Sequence, residues 1–170
     1  MKKILETERF LLRELTVGDA MSFYELNENS KVIQYTGDRP FESVEEATTF
    51  LQNYKDYDEN GYGRWAVIDK SNNEFLGWCG LKYDSSKDET DLGFRFFEKF
   101  WNRGVATESA IACLKYGLDQ LKLKKIVGRA MSENIASIKV LQKLGFTFEK
   151  EFDFDGCKGV IYTIEKNNLE

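Results

Sequence analysis

The apolar residues of this chain change period twice, and that change limits the folds open to it. After Ser43 they recur at helical spacing: Val44, Ala47, Phe50, Leu51, Tyr54 and Tyr57. In the middle of the chain they gather instead into three short aromatic runs, residues 64–68, 75–83 and 90–97. Turn-forming stretches separate the runs, Ser71-Asn72-Asn73 and Asp84-Ser85-Ser86-Lys87-Asp88. Past Gly104 the helical period returns, with Ile111, Leu114, Leu118 and Leu121 at i, i+3, i+7 and i+10. The middle therefore reads as a three-stranded antiparallel meander with helical segments on either side.

The flanks extend this pattern. Residues 8–15 read as a first strand, and Thr16 as the cap of a short helix over 17–28 with Asp19 in its first turn. Ser43-Val44-Glu45-Glu46 is a capping-box signal, and Gly61 and Gly63 end the helix it starts. Residues 125–131 read as a strand. Residues 134–144 read as a helix with Ile135, Ile138, Leu141 and Leu144 on one stripe and Gly145 at its end. Residues 146–154 and 160–164 close with a hairpin turned at Asp155-Gly156. The class is α/β, an antiparallel half running into a βαβ half around a mixed, mostly antiparallel sheet. With one proline (Pro40), no low-complexity linker and no repeat, residues 1–170 are expected to form a single domain.

The chain contains no histidine. Ser-His-Asp and Cys-His catalysis, histidine-ligated zinc and a histidine general base are thereby excluded. Three cysteines, Cys79, Cys113 and Cys157, form no C-x-x-C pair and are expected as buried free thiols, so no metal is expected. A net charge of −5 disfavours nucleic acid as the main partner. The charged N-terminal segment lacks the apolar core of a signal peptide, and no stretch is long enough to span a membrane. The expected setting is cytoplasmic.

Chemistry is concentrated at two places. The segment from Phe100 to Glu108 joins a strand to a helix through Gly104, and the small Ala106 and Thr107 keep the first helical turn open. Such a turn aims unpaired N–H groups at an anion, which suits a phosphate or a diphosphate. The spacing is neither that of a Walker A loop nor the G-x-G-x-x-G fingerprint. The second place is the helix start at Asn134, three residues before Ser137, where an asparagine cap is the simplest reading.

Taken together, a strand, this turn, a long helix, a strand and then N-x-x-S…K-L-G-F resemble the GNAT superfamily of N-acyltransferases. The resemblance is closest to the branch of the RimJ/RimL-type ribosomal-protein N-terminal acetyltransferases. It covers nearly the whole chain: T-E-R-F-L-L-R, F-L-G-W-C-G-L, L-G-F-R-F, W-N-R-G-V-A-T-E and E-N-x-A-S…K-L-G-F occur in the branch's order. It implies the GNAT fold and acetyl-CoA as cosubstrate with an amine acceptor. The family's diphosphate motif, Gln/Arg-x-x-Gly-x-Gly/Ala, maps onto Gly104 and Ala106, with Trp101 departing from its first position. Asn102, Arg103, Gly104, Val105, Ala106 and Thr107 are then expected to hold the phosphates. Phe94, Arg95 and Phe96 match the strand whose backbone serves pantetheine and the acetyl carbonyl, and Asn134 matches the asparagine that contacts the pantetheine arm.

The tyrosine that protonates the leaving thiolate in many GNAT enzymes is replaced by Leu141, and Ser137 is the candidate in its stead. Asp91 matches an acidic position of many members and is the candidate base, with Glu89 next and a solvated strand-edge charge as the alternative. Glu108 reads as structural. The acidic stretch 84–91 would attract a cationic acceptor or be a solvated turn. Trp65, Trp78, Tyr83, Phe23 and Tyr35 would wall an acceptor pocket or form core, and core is preferred for Trp78. Cys79 has no activating partner and is discounted as a nucleophile. The expected reaction is direct attack of a primary amine, on a protein N-terminus or a small molecule, on the thioester. A catalytically silent acyl-CoA-binding protein is the alternative. A homodimer is left open.

Overall fold

The three aromatic runs form the centre of one eight-stranded sheet in the computed structural model, which describes residues 2–168. Met1, Leu169 and Glu170 of the expected domain lie outside the described residues. Strands β3 (Arg64–Asp69), β4 (Phe75–Asp84) and β5 (Glu89–Phe96) pair antiparallel in sequence order. The hairpin of β1 (Lys3–Glu6) and β2 (Phe10–Glu14) adds to β3. On the other side β6 (Lys125–Met131) lies parallel to β5, followed by β8 (Cys157–Glu165) and β7 (Thr147–Phe154). The order is β1-β2-β3-β4-β5-β6-β8-β7. The one parallel pair needs a crossover, and helix α5 (Val105–Lys115) supplies it.

Period-two alternation divides the core between the two faces. Trp65, Val67, Leu76, Leu81, Leu92 and Phe96 pack with Val105, Ala110, Cys113 and Leu114 of α5 and with Leu141 of α6 (Ile135–Lys143). Ala66 and Ile68 point the other way, into a smaller cluster with Ala20 and Phe23 of α1 (Ala20–Glu28) and Leu51 of α3 (Val44–Gln52). β3 is thus covered on both faces, which is why it reads as a continuous apolar run. Arg13 of β2 grips Asp19 with two bonds, 2.8 and 2.7 Å, both side chains buried, and ties the sheet to the start of α1.

Several boundaries differ from the expectations. The first strand is a hairpin, because the short, partly charged Lys3-Ile-Leu-Glu6 pairs with β2 at the sheet's edge. A short helix α2 (Ser30–Ile33) follows α1. α3 stops at Gln52, and a separate α4 (Asp56–Asn60) follows, ended by Gly61. The break turns the tyrosines of the helical stripe onto backbone: the Tyr54 hydroxyl accepts from Arg64 N at 2.7 Å, and the Tyr57 hydroxyl accepts from Leu15 N at 3.0 Å. The Ser43 cap is present, its hydroxyl accepting from Glu46 N at 3.1 Å. Glu46 itself reaches back to the amide of Glu42 rather than that of Ser43.

Candidate active site

The turn before α5 contains two left-handed residues, Asn102 (φ 59°) and Gly104 (φ 73°). Gly104 caps α5, and Glu108 N is the first helical amide to find its carbonyl, Gly104 O at 3.0 Å. The amides of Val105, Ala106 and Thr107 have no carbonyl one turn back and sit where the helix dipole favours an anion. Val105 is buried and anchors the turn, while Trp101 to Gly104 are exposed. The Trp101 ring N–H donates to Phe96 O at 2.9 Å and ties the turn to the end of β5.

A cation that the sequence did not single out lies beside this turn. Arg9 donates to Arg103 O at 3.0 Å, and a Cβ on Gly104 would come within 3.3 Å of its Nη2. Arg9 is held there by Glu108, whose carboxylate accepts from Arg9 Nε at 2.7 Å, Arg9 N at 3.0 Å and the Thr7 hydroxyl at 2.6 Å. Burial pushes the Glu108 pKa up, but these bonds together bring it below the ordinary glutamate value. Glu108 therefore fastens α5 to the β1–β2 turn, in keeping with a structural role.

Behind the turn the sheet parts. β5 and β6 are bridged at Asp91 and Val127, and no further pairing between them forms among the described residues. β5 meanwhile stays paired with β4 as far as Phe96. Phe97 N donates to Leu76 O at 3.1 Å, and Arg95 stands opposite Trp78. By alternation, the backbone of Arg95 turns to β4 while that of Phe94 and Phe96 turns into the gap. The pleat thus splits the expected trio: Phe94 and Phe96 offer backbone groups to the gap, and Arg95 does not.

Asn134 begins α6, its Oδ1 accepting from Ser137 N at 3.3 Å. The cap uses the amide's oxygen and leaves its NH2 for other work. Ser137 is partly buried in the first turn of α6, on the α5–α6 side of the sheet. Asp91 neighbours the inward-facing Leu92 and so projects from the opposite face. The two candidate catalytic side chains stand on opposite faces, with the gap between β5 and β6 separating them.

On the Asp91 side lies a floor of interlocked charges. Asp91 accepts from Arg64 through one oxygen and from Arg129 Nη1 through the other at 3.4 Å, and Glu89 accepts from Arg129 Nη2. The Arg64 guanidinium also donates to Gly80 O at 2.8 Å and lies across Gly93, where a Cβ would fall 2.7 Å from its carbon. Burial alone would lower the Arg64 pKa, and the adjoining Asp91 carboxylate together with Tyr54 and Cys79 raises it overall. Arg95 donates to Asn27 Oδ1 and, at 2.7 Å, to Asp38 Oδ2. Arg64 and Arg95 each stand 5.3 Å from the ring of Trp78.

Other expected roles resolve differently. Trp78 is half-buried and part of this polar floor rather than fully core, whereas Trp65 and Phe23 are core. The acidic stretch is occupied internally: Asp84 binds Ser86 and Lys87, which lower its pKa to about 2, and Asp88 accepts from the Tyr83 hydroxyl at 2.7 Å. Cys79 and Cys113 are buried with their sulfurs 3.6 Å apart, but Cys157 is exposed, at the start of the last strand beside its turn. No cluster of metal-ligating side chains occurs among the described residues. None of the described helices is long and apolar enough to cross a membrane.

This arrangement matches known proteins. The family model described as an acetyltransferase (GNAT) domain matches residues 9–147. The uncharacterized N-acetyltransferase YoaA of Bacillus subtilis is 30% identical over 151 residues, covering 88% of this chain and 85% of YoaA. A GNAT-family acetyltransferase from Bacillus anthracis superposes with a TM-score of 0.83 at 25% identity, covering 96% of this chain and 98% of that one. RimL, a ribosomal L7/L12 α-N-protein acetyltransferase solved with coenzyme A, shares the fold with a TM-score of 0.82 at 19% identity, covering 96% and 98%. The chain belongs to the GNAT family and is an acetyl-CoA-dependent N-acetyltransferase. The residues present suit that cosubstrate: open first-turn amides and Arg9 for a diphosphate, and a parted strand pair for an extended arm.

Proposed function

We propose that the enzyme moves the acetyl group of acetyl-CoA to a primary amine by direct attack on the thioester, and that it stands near the RimJ/RimL-type branch. The observation that carries this reading is the parting of β5 from β6 past Asp91, immediately behind a helix whose first-turn amides are open. The amides of residues 103–107, with Arg9, bind the phosphates, and Asn102 shapes their turn. The backbone of Phe94 and Phe96 and the amide of Asn134 hydrogen-bond the pantetheine arm. Ser137 faces the leaving sulfur from the α6 side, and Asp91 receives the amine's proton on the other. A cytoplasmic setting belongs to the same reading, in keeping with cysteines that form no C-x-x-C pair.

One observation favours the silent alternative. Leu141, at the place of the family's tyrosine, is buried against Gly128 and offers no proton. Thiol release from acetyl-CoA over a panel of amines decides between the readings. Turnover supports the transferase; CoA binding without turnover on any amine supports the silent protein. The pH profile of kcat/KM in Asp91→Asn tests the base, and an unaltered profile removes Asp91 from that role.

A further inference from the structure

The floor around Asp91 has spare hydrogen-bonding capacity of mainly one sign. Its carboxylates are engaged: Asp91 by Arg64 and Arg129, Glu89 by Arg129, Asp38 by Arg95. The enclosed side-chain atoms on it without a protein partner are N–H donors: Arg95 Nε, Arg129 Nε and Trp78 Nε1. An enclosed donor without an acceptor is unfavourable, because it has lost water and gained nothing in return. These three belong to side chains already tied together through Trp78, Arg64 and Asp91. Acceptor oxygens on a ligand satisfy donors of this kind, and a ligand that brings only ammonium groups satisfies none.

Asp38 is the replaceable member of this set. Its side chain is 59% exposed, while that of Arg95, which it neutralises, is 11% exposed. It reaches in from the segment between α2 and α3, so a ligand carboxylate can take its place on Arg95 without changing the charge around that guanidinium. The neighbouring Gly37 lies against the β7–β8 turn, where a Cβ would come within 2.6 Å of Asp155 Oδ2. The 34–43 connection that carries Asp38 is thus packed against the β7–β8 turn. Arg95 is the next residue along β5 from Phe94, whose backbone faces the gap. The floor and the strand edge that faces the gap are therefore neighbours along β5. A compact ligand that carries both an amino group and a carboxylate reaches the floor and the gap together.

We infer that the acceptor is a small amino acid-like amine, anchored through its carboxylate by Arg95 and the N–H groups of Trp78 and Arg129, with Asp38 displaced. This rests on the transferase reading above. The test is calorimetric titration of the CoA-loaded protein with the twenty standard amino acids and their C-terminal amides, with spermidine and a pentapeptide as further probes. At least one acid is expected to bind tenfold or more tightly than its amide. Arg95→Gln is expected to reduce that preference below threefold and leave CoA affinity within twofold, with Arg95→Lys intermediate. Asp38→Asn, an exposed change that leaves folding intact, removes the competing carboxylate and is expected to tighten acid binding. A merely structural Asp38 would not produce that gain. Equal binding of acid and amide, preference for spermidine or the peptide, or weaker acid binding in Asp38→Asn overturns the inference. Failure of CoA to bind strikes the transferase reading instead. The acid-over-amide preference is then read on the free protein, with the same outcomes deciding it.

Discussion

Gly104 carries two separable demands, one on the backbone and one on the ligand. Its φ of 73° is a left-handed conformation that costs a side chain-bearing residue about 1–2 kcal/mol. Any substitution pays that cost, and Gly104→Ala isolates it. At roughly 2–4 °C per kcal/mol for a chain of this size, the alanine variant is expected to melt about 2–8 °C lower. The new Cβ meets Arg9 Nη2 at 3.3 Å, and Arg9, whose side chain is 45% exposed, can give way. Gly104→Glu adds a carboxylate at the helix N-terminus, which the dipole favours by about 0.3–1 kcal/mol, so it should be no less stable than the alanine variant. Its effect on a diphosphate runs the other way. A like charge at ~5 Å and an effective dielectric of ~20 costs about 3 kcal/mol, and roughly half of that in an exposed, screened turn. CoA binding should therefore weaken about 10–100-fold relative to Gly104→Ala. Thermal unfolding and CoA calorimetry on the two variants measure both effects. Equal CoA affinity in the two variants would refute the placement of the phosphates at this turn.

Asn134 separates in the same way. Asn134→Asp keeps the cap on Ser137 N and should hold stability while losing the NH2 donor and weakening CoA binding. Asn134→Ala loses the cap as well, at about 0.5–2 kcal/mol, read by urea unfolding beside calorimetry. Glu108 predicts a pH dependence. Its folded pKa lies below the unfolded value, so its contribution is present above the ordinary glutamate range and is lost as pH falls through the lowered value. Urea midpoints measured from pH 6 to pH 3 should fall less steeply in Glu108→Gln than in the parent protein; parallel slopes would contradict the Arg9–Thr7–Glu108 assignment. Burial raises the Cys113 thiol pKa well above its ordinary value. A maleimide should therefore label Cys157 quickly in the native protein and reach Cys79 and Cys113 only on unfolding, as peptide mass spectrometry would show.

How much of this was legible beforehand follows from how locally each feature is encoded. The meander is written in consecutive residues because β3 to β5 are buried and their aromatic runs are interrupted by turn-formers. The turn before α5 is legible for the same reason: Asn102 to Thr107 are contiguous, and Gly104 stands at one of its two left-handed positions. β1 and α2 are too short to show a period. The break after α3 depends on where two tyrosine hydroxyls find backbone in Leu15 and Arg64, which no local window contains.

The polar floor around Asp91 is the least legible part, and the reason is physical. Asn27, Asp38, Arg64, Trp78, Asp91, Arg95 and Arg129 come from a helix, a connecting segment and four strands, and only pairing β3 through β6 side by side brings them together. Read as a run of acids, residues 84–91 suggest attraction for a cation. In the folded sheet Glu89 and Asp91 are held by arginines, Asp84 by Ser86 and Lys87, and Asp88 by Tyr83, and the enclosed side-chain atoms left unpaired on that floor are N–H donors. Net charge counts the groups but not which of them are already bonded, so an acidic chain can hold a floor whose enclosed unpaired groups are donors. The absence of histidine has its counterpart here: the polar work on this side of the gap falls to guanidinium and carboxylate groups, whose charges are shared among themselves before any ligand arrives.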